Sequence, residues 1–189
     1  MNKEWHEAFF NSLFHSTTTK SAGLATLDIN EFTSSNQLFL SVLMFIGGSP
    51  SSASGGIRTT TFAIVILAII FYAQGKSTVK IFRRELLSED ILKSFIVITT
   101  GAFLCLFSIL ILTITEEGTV IEVIFEVSSA FGTNGLSMGL TPRLTTFGEI
   151  IIILLMFIGR VGIVTCLLIL RGKGSKEKFN YPKEKVTIG

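Results

Sequence analysis

The apolar positions of this chain fall into blocks of two lengths, and the lengths decide what each block can be. Between residues 5 and 16, Trp5, Ala8, Phe9 and Leu13, joined less regularly by Phe10 and Phe14, recur at helical spacing. A helix of that size rises about 18 Å, too little to cross a hydrocarbon core of about 30 Å. It runs straight into a polar stretch, STTTKSAGLATLD at 16–28. The expectation is a re-entrant element, helix on the way in and irregular backbone on the way out, which membranes tolerate only where protein or water covers the backbone. Residues 38–46 are apolar, the run breaks at GGSPSSASGG (47–56), and it resumes over 59–72. Neither half spans alone, so together they read as one crossing interrupted near the bilayer centre. Residues 91–115 form a continuous run long enough to span. A second short helix follows at 120–131, then SSAFGTNGLSMGL (128–140), and residues 147–170 are expected to make a second full crossing.

The two Gly-, Ser- and Thr-rich stretches are copies of each other. Sliding 16–28 onto 128–140 takes an offset of 112 residues and no gap. Ser16 falls on Ser128, Gly23 and Leu24 on Gly135 and Leu136, Thr33 on Thr145, and Met44-Phe45-Ile46-Gly47 on Met156-Phe157-Ile158-Gly159. One register held from a glycine loop into the middle of an apolar helix is hard to produce by chance. The chain reads as two copies of one unit.

Composition fixes the solvent. Hydrophobic residues make up 48% and charged residues 16%, with 17 Phe and a mean hydropathy of +0.62; soluble domains carry about 25% charge. This is the composition of a membrane protein. Charge also gives orientation. Lys76, Lys80, Arg83, Arg84 and Lys93 outnumber the acids between residues 76 and 93, and Arg171, Lys173, Lys176, Lys178, Lys183 and Lys185 crowd the tail, so both are expected on the cytoplasmic side. Glu116, Glu117, Glu122 and Glu126 then lie at the outer mouth, either as a solvated face or as a field that concentrates cations. Cys105 and Cys166 sit in apolar runs without ligand spacing and read as small buried hydrophobes. His6 and His15 have no partnering carboxylate pattern. Neither HExxH nor a Walker loop occurs, so no enzyme is expected, and nothing points to nucleic acid.

Two positions carry the chemistry. Half-length helices ending on glycine loops present backbone carbonyls to a permeating cation, with the negative end of each helix dipole aimed at the pore axis. Ser21, Ala22 and Gly23 in the first copy, and Thr133, Asn134 and Gly135 in the second, would supply those oxygens. The other position is Arg160 in MFIGRVG: a charge inside an apolar helix costs about 2.5 to 3.5 kcal/mol on insertion scales and asks for a partner or a watery cavity. Arg58, just past the 47–56 break, asks the same.

These residues resemble the Trk/Ktr/HKT superfamily of potassium-translocating proteins, and most closely its KtrB branch, to which the ending NYPKEKVTIG also points. The resemblance implies an all-α integral membrane fold of M1-P-M2 pore-loop repeats, with re-entrant half-helices and an interrupted transmembrane helix. Four repeats in one chain surround a single pore. Residues 1–75 resemble the pore helix, filter and broken M2 of a third repeat, 76–93 a cytoplasmic connection, 88–171 a whole fourth repeat, and 172–189 a cytoplasmic tail. By that resemblance Ser21, Ala22, Gly23, Thr133, Asn134 and Gly135 belong to the selectivity filter. Gly47, Gly48, Ser49, Pro50, Ser51, Ser52, Ala53, Ser54, Gly55 and Gly56 form the intramembrane gating loop, with Arg160 beside it. Asn134 departs from the family, which often has a small or aliphatic residue there. The first two repeats and the third M1 are not among these residues, so the chain is not expected to close a four-sided pore alone.

The resemblance also implies potassium uptake across the cell membrane, with sodium promoting uptake, by a homodimer resting on a cytoplasmic RCK-type (KtrA-like) ring that alone binds nucleotide. Two other readings of the interrupted segments stand beside it: a broken-helix secondary cation transporter, and a structural membrane subunit without a pathway of its own.

Overall fold

A computed structural model describes residues 5–20, 22–76, 78–81 and 84–171; the tail from 172 onward and Ser21 lie outside the described residues. The helices are α1 (Trp5–Thr18), α2 (Ser34–Phe45), α3 (Thr59–Ala73), α4 (Ser88–Thr115), α5 (Val120–Gly132), α6 (Thr146–Val161) and α7 (Ile163–Arg171). The basic connection before α4 holds a small antiparallel hairpin, β1 (Lys80–Ile81) and β2 (Arg84–Glu85), with Lys80 opposite Glu85. It is a departure from an all-helical chain, and its two-residue strands have no periodicity to announce them. Single 3-10 turns at Ile29–Glu31 and Thr141–Arg143 fall 112 residues apart, as do the starts of α2 and α6 and their N-cap threonines, Thr33 and Thr145.

Only α4, at 28 residues, is long and apolar enough to cross a membrane as a single helix among the described residues. The continuous crossing expected over 147–170 is broken: α6 and α7 meet at a bend of 97°. The hinge is Gly162, at φ 90 and ψ 138, a left-handed region that a Cβ disfavours. Because the side chains on both sides of the hinge are equally apolar, hydropathy sees one run. The backbone sees two helices.

The shorter helix α5 is the centre of the molecule. From Val123 to Gly132 nearly every residue is buried, because α2, α4 and α6 enclose it. Its start is fixed by a capping box in which the Glu122 amide donates to the Thr119 hydroxyl (3.3 Å) and the Thr119 amide donates to the Glu122 carboxylate (2.8 Å), closing off donors that a helix start leaves orphaned. Val123, Val127, Ala130 and Phe131 of α5 meet Cys105 and Leu112 of α4, Ile152 and Leu155 of α6, and Ile163 of α7. On the other side, Phe125 joins Leu40 and Met44 of α2 with Leu136 and Met138. By contrast α1, the counterpart of α5, exposes Trp5, Phe9, Phe10 and Leu13.

A buried carboxylate ties the C-terminal end of α4 to the N-terminal end of α6. Glu116, at the C-cap of α4, accepts from the Thr145 amide (2.8 Å) and the Thr145 hydroxyl (2.5 Å), and from Thr115 at 3.4 Å. A Cβ on Gly148 would come within 2.5 Å of its Oε1, so a larger residue at that point of α6 would push the carboxylate off Thr145. Burial by itself pushes the Glu116 carboxyl up, but the hydrogen bonds from Thr145 and Thr115 outweigh it and hold it below the usual carboxylate range. A group whose folded pKa is depressed contributes its stability above the unfolded value and loses it as pH falls through the folded one. Replacing Glu116 with Ala is expected to cost about 2 kcal/mol, the worth of hydrogen bonds to a charged group. The wild-type protein should also lose thermal stability as pH falls below about 4, with a shallower fall in E116A. Melting curves of purified protein across pH check both.

Candidate functional site

The loop after α5 turns back on itself in three residues. Thr133 takes the left-handed conformation (φ 52, ψ 40) at the C-cap, its amide bonded to Ala130 at 3.1 Å, while the Asn134 amide reaches Ser129 at 3.0 Å. Gly135 follows at φ 90. In the first copy the Ala22 and Gly23 amides both donate to the Thr18 carbonyl, at 3.1 and 3.2 Å, and Gly23 stands at φ 65. The two loops meet backbone to backbone: a Cβ on Gly23 would collide with the carbonyl oxygen of Asn134. So the structure brings Ala22 and Gly23 together with Thr133, Asn134 and Gly135.

Each loop is braced from behind by a different side chain. In the first, the Thr18 hydroxyl donates to the Leu24 carbonyl (2.8 Å) and accepts from the Leu24 amide (2.9 Å). In the second, buried Glu126 accepts from Ser137 (2.9 Å) and from the Thr141 hydroxyl, and Ser137 accepts from the Gly139 amide (3.0 Å). This corrects the expectation of an acidic mouth. Glu116 and Glu126 are buried and bonded to threonine and serine, and Glu122 caps α5 and pairs with Arg143 at 3.5 Å. Glu117 stays exposed. Asn134 is buried too, and neither atom of its amide has a hydrogen-bond partner among the described residues.

The 47–56 segment is a closed excursion. Ile46 and Ile57 pair as an isolated bridge, with the Ile57 amide donating to Phe45 (3.3 Å) and the Thr59 amide to Gly48 (3.1 Å). Inside it, the Gly48 amide donates to the Ser54 hydroxyl at 2.9 Å, and Ser51 stands at φ 74. From there the segment reaches across the molecule. The Gly55 amide donates to the Thr133 hydroxyl at 2.9 Å, the Gly56 amide to the Gly159 carbonyl at 3.2 Å, and the Arg160 guanidinium to the Ala53 carbonyl. Arg58 holds the Ser49 and Ser52 carbonyls at 3.3 and 3.2 Å. Phe45 stacks on Phe131 with centroids 5.5 Å apart. The apolar run puts Arg160 mid-helix; because of the Gly162 hinge it lies instead in the last turn of α6, where a cation suits the helix dipole.

Sequence reasoning passed over Glu126 as a brace, Thr18, Gly159 and Lys20. Gly159 had a signal, since its register partner is Gly47. A Cβ there would collide with the Phe131 carbonyl, so glycine is what lets α6 touch the end of α5. Lys20 had none, because the carbonyls it bonds are 23 and 26 residues further along the chain.

A membrane-length helix, half-length helices ending on paired glycine loops and a broken helix folded against one of those loops define an α-helical membrane transport protein. The chain belongs to the TrkH family of cation transport proteins, whose family model matches residues 2–180. It is 50% identical over 187 residues to the Ktr system potassium uptake protein D of Bacillus subtilis, covering 99% of this chain and 42% of that protein. It is 36% identical over 189 residues to the potassium/sodium uptake protein NtpJ of Enterococcus hirae, covering 97% and 42%. The crystal structure of the potassium transporter TrkH from Vibrio parahaemolyticus superposes with a TM-score of 0.72 at 20% identity, over 87% of this chain and 37% of that one. The chain therefore spans about two fifths of the length of these relatives.

The two loop glycines differ in what surrounds them, and their substitutions should differ accordingly. Among the described residues nothing lies within 4 Å of a Cβ placed on Gly135, so Gly135→Ala carries backbone strain alone, about 1–3 kcal/mol. Gly23→Ala carries the strain and must also displace the Asn134 backbone. Melting temperatures of the two variants are expected to rank G23A below G135A.

Proposed function

We propose that these residues form the second half of the pore-forming subunit of a Ktr-type potassium uptake system in the cell membrane. The observation that carries this reading is the seating of residues 47–56 on the second glycine loop, through Gly55 to Thr133, Gly56 to Gly159 and Ala53 to Arg160. A segment that interrupts an apolar helix and bonds to the loop that selects the ion is placed to obstruct the ion's path at that loop. Potassium sheds water to carbonyl oxygens of residues 21–23 and 133–135, toward which α1 and α5 point the negative ends of their dipoles. It then passes residues 47–56 when the segment lets go of Thr133 and Arg160.

The helices, turns and caps that recur 112 residues apart support two M1-P-M2 repeats, the third lacking its M1 here. The third M1 and the first two repeats belong to the part of the relatives that this chain does not span, and would cover the exposed apolar side chains of α1. The connection at 76–93 and the basic tail face the cytoplasm by their positive charge. The names of the relatives, a Ktr system protein and a potassium/sodium uptake protein, support potassium as the ion and sodium as a second ion in the cycle. Pairing as a homodimer on an RCK-type ring, with nucleotide on the ring, completes the proposal.

The test is potassium-limited growth of an uptake-deficient bacterium carrying residues 1–189, alone and beside the N-terminal portion of the Bacillus subtilis Ktr protein D. Rescue by the pair only, abolished by Gly135→Ser, is the expected result. Arg160→Ala in the pair is expected to raise potassium flux per surface copy about tenfold, the equivalent of losing one charge-assisted hydrogen bond. A well-expressed pair that carries no potassium would sink the pore reading. Unchanged flux in R160A would remove Arg160 from the barrier.

A further inference from the structure

The broken helix α2 ends where the two loops converge. Termination at Phe45 strands the carbonyls of its last turn, which have no intrahelical donor. Two are met by backbone, Val42 by the Ile46 amide (3.1 Å) and Phe45 by the Ile57 amide (3.3 Å). The Met44 carbonyl presses on Gly132, the last residue of α5, so closely that a Cβ there would collide with it. The Leu43 and Ile46 carbonyls are met by the ammonium of Lys20, at 3.3 and 2.8 Å.

Lys20 occupies the position in the first copy that Gly132 occupies in the second, at the offset of 112. The end of α2 is thus gripped from both sides by equivalent positions, on one side through backbone contact and on the other through a lysine. Ile46 is the residue immediately before the 47–56 segment, and Lys20 lies two residues before Ala22. Among the described residues no carboxylate pairs with Lys20, so its hydrogen bonds go to backbone oxygens alone.

We infer that Lys20 is a positioning residue of the gate: it fastens the hinge at which residues 47–56 leave α2 to the first filter loop. The inference rests on the pore reading proposed above. Arg160 and Arg58 hold the body of the segment, and Lys20 holds its root. Releasing the ammonium leaves two carbonyls at the root without donors, and the segment regains the freedom to swing from Thr133.

The experiment compares Lys20→Met and Lys20→Arg with wild type, each expressed beside the N-terminal portion of the Bacillus subtilis Ktr protein D. Two readouts are taken, hydrogen exchange of residues 44–57 and potassium flux per surface copy. Lys20→Met is expected to speed exchange over 44–57 about tenfold, as the loss of hydrogen bonds to a charged donor implies, while exchange in α4 stays unchanged. Flux should rise by a similar factor, and Lys20→Arg, which keeps the charge and donors, should restore slow exchange and low flux. Wild-type exchange over 44–57 in K20M would overturn the inference, as would acceleration spread equally over α4, which marks general unfolding. If the wild-type pair carries no potassium, the pore reading fails, and the exchange measurement still decides whether Lys20 restrains the segment.

Discussion

Backbone that leaves a helix inside an apolar layer must find its hydrogen bonds within the protein, since hydrocarbon offers none. That requirement organises this molecule. Helix α2 ends at Phe45, and many of the carbonyls and amides there and in residues 47–56 find partners elsewhere in the chain. Lys20 takes Leu43 and Ile46, Ile57 takes Phe45, Arg58 takes Ser49 and Ser52, Arg160 takes Ala53, and Thr133 and Gly159 accept from Gly55 and Gly56. Three cations donate to carbonyls around one segment, and no described carboxylate pairs with them. A charged donor suits these carbonyls better than a neutral one, and the three cations gather where α2 ends.

The second requirement is closeness. Carbonyls and amides of different segments bond only if the chains approach without Cβ atoms between them. Gly132 lies against Met44, Gly159 against Phe131, and Gly23 against Asn134, each so near that alanine would collide with backbone. Because the obstacle is main chain, a neighbouring rotamer cannot relieve it, and whole helices would have to part. The same contacts bring both loops and the end of α2 to one place. Polar satisfaction and glycine packing are therefore two sides of one arrangement.

Block lengths and the 47–56 break could be read from sequence because each is a local pattern, and the 112-residue register because it is a match of residue identities. The half-helices came out within about two residues of their observed ends. The features that escaped depend on partners far along the chain or on single dihedral angles. The four glutamates looked like one acidic surface. Glu116 bonds Thr145, 29 residues on, and Glu126 bonds Ser137 and Thr141, 11 and 15 residues on, so composition could not tell a free carboxylate from a satisfied one. The 97° bend at Gly162 was hidden by uniform hydropathy. Yet the register held a clue: Gly159 aligns with Gly47, where the first copy stops being helical.

That alignment sets two helix ends side by side. Within the shared Met-Phe-Ile-Gly or just past it both second helices end, one at Phe45 and the other at Val161. In the first copy the failure opens into a ten-residue excursion dense in Gly and Ser; in the second it is a single hinge that leaves Arg160 at a helix end. The excursion needs an external acceptor and donor, and the hinge supplies them, the Gly159 carbonyl for Gly56 and the Arg160 guanidinium for Ala53. A straight α6–α7 would place Arg160 mid-helix, without the exposed C-terminal turn that the cation now occupies. The bend in one copy is thus what holds the loop of the other, and neither break is intelligible alone.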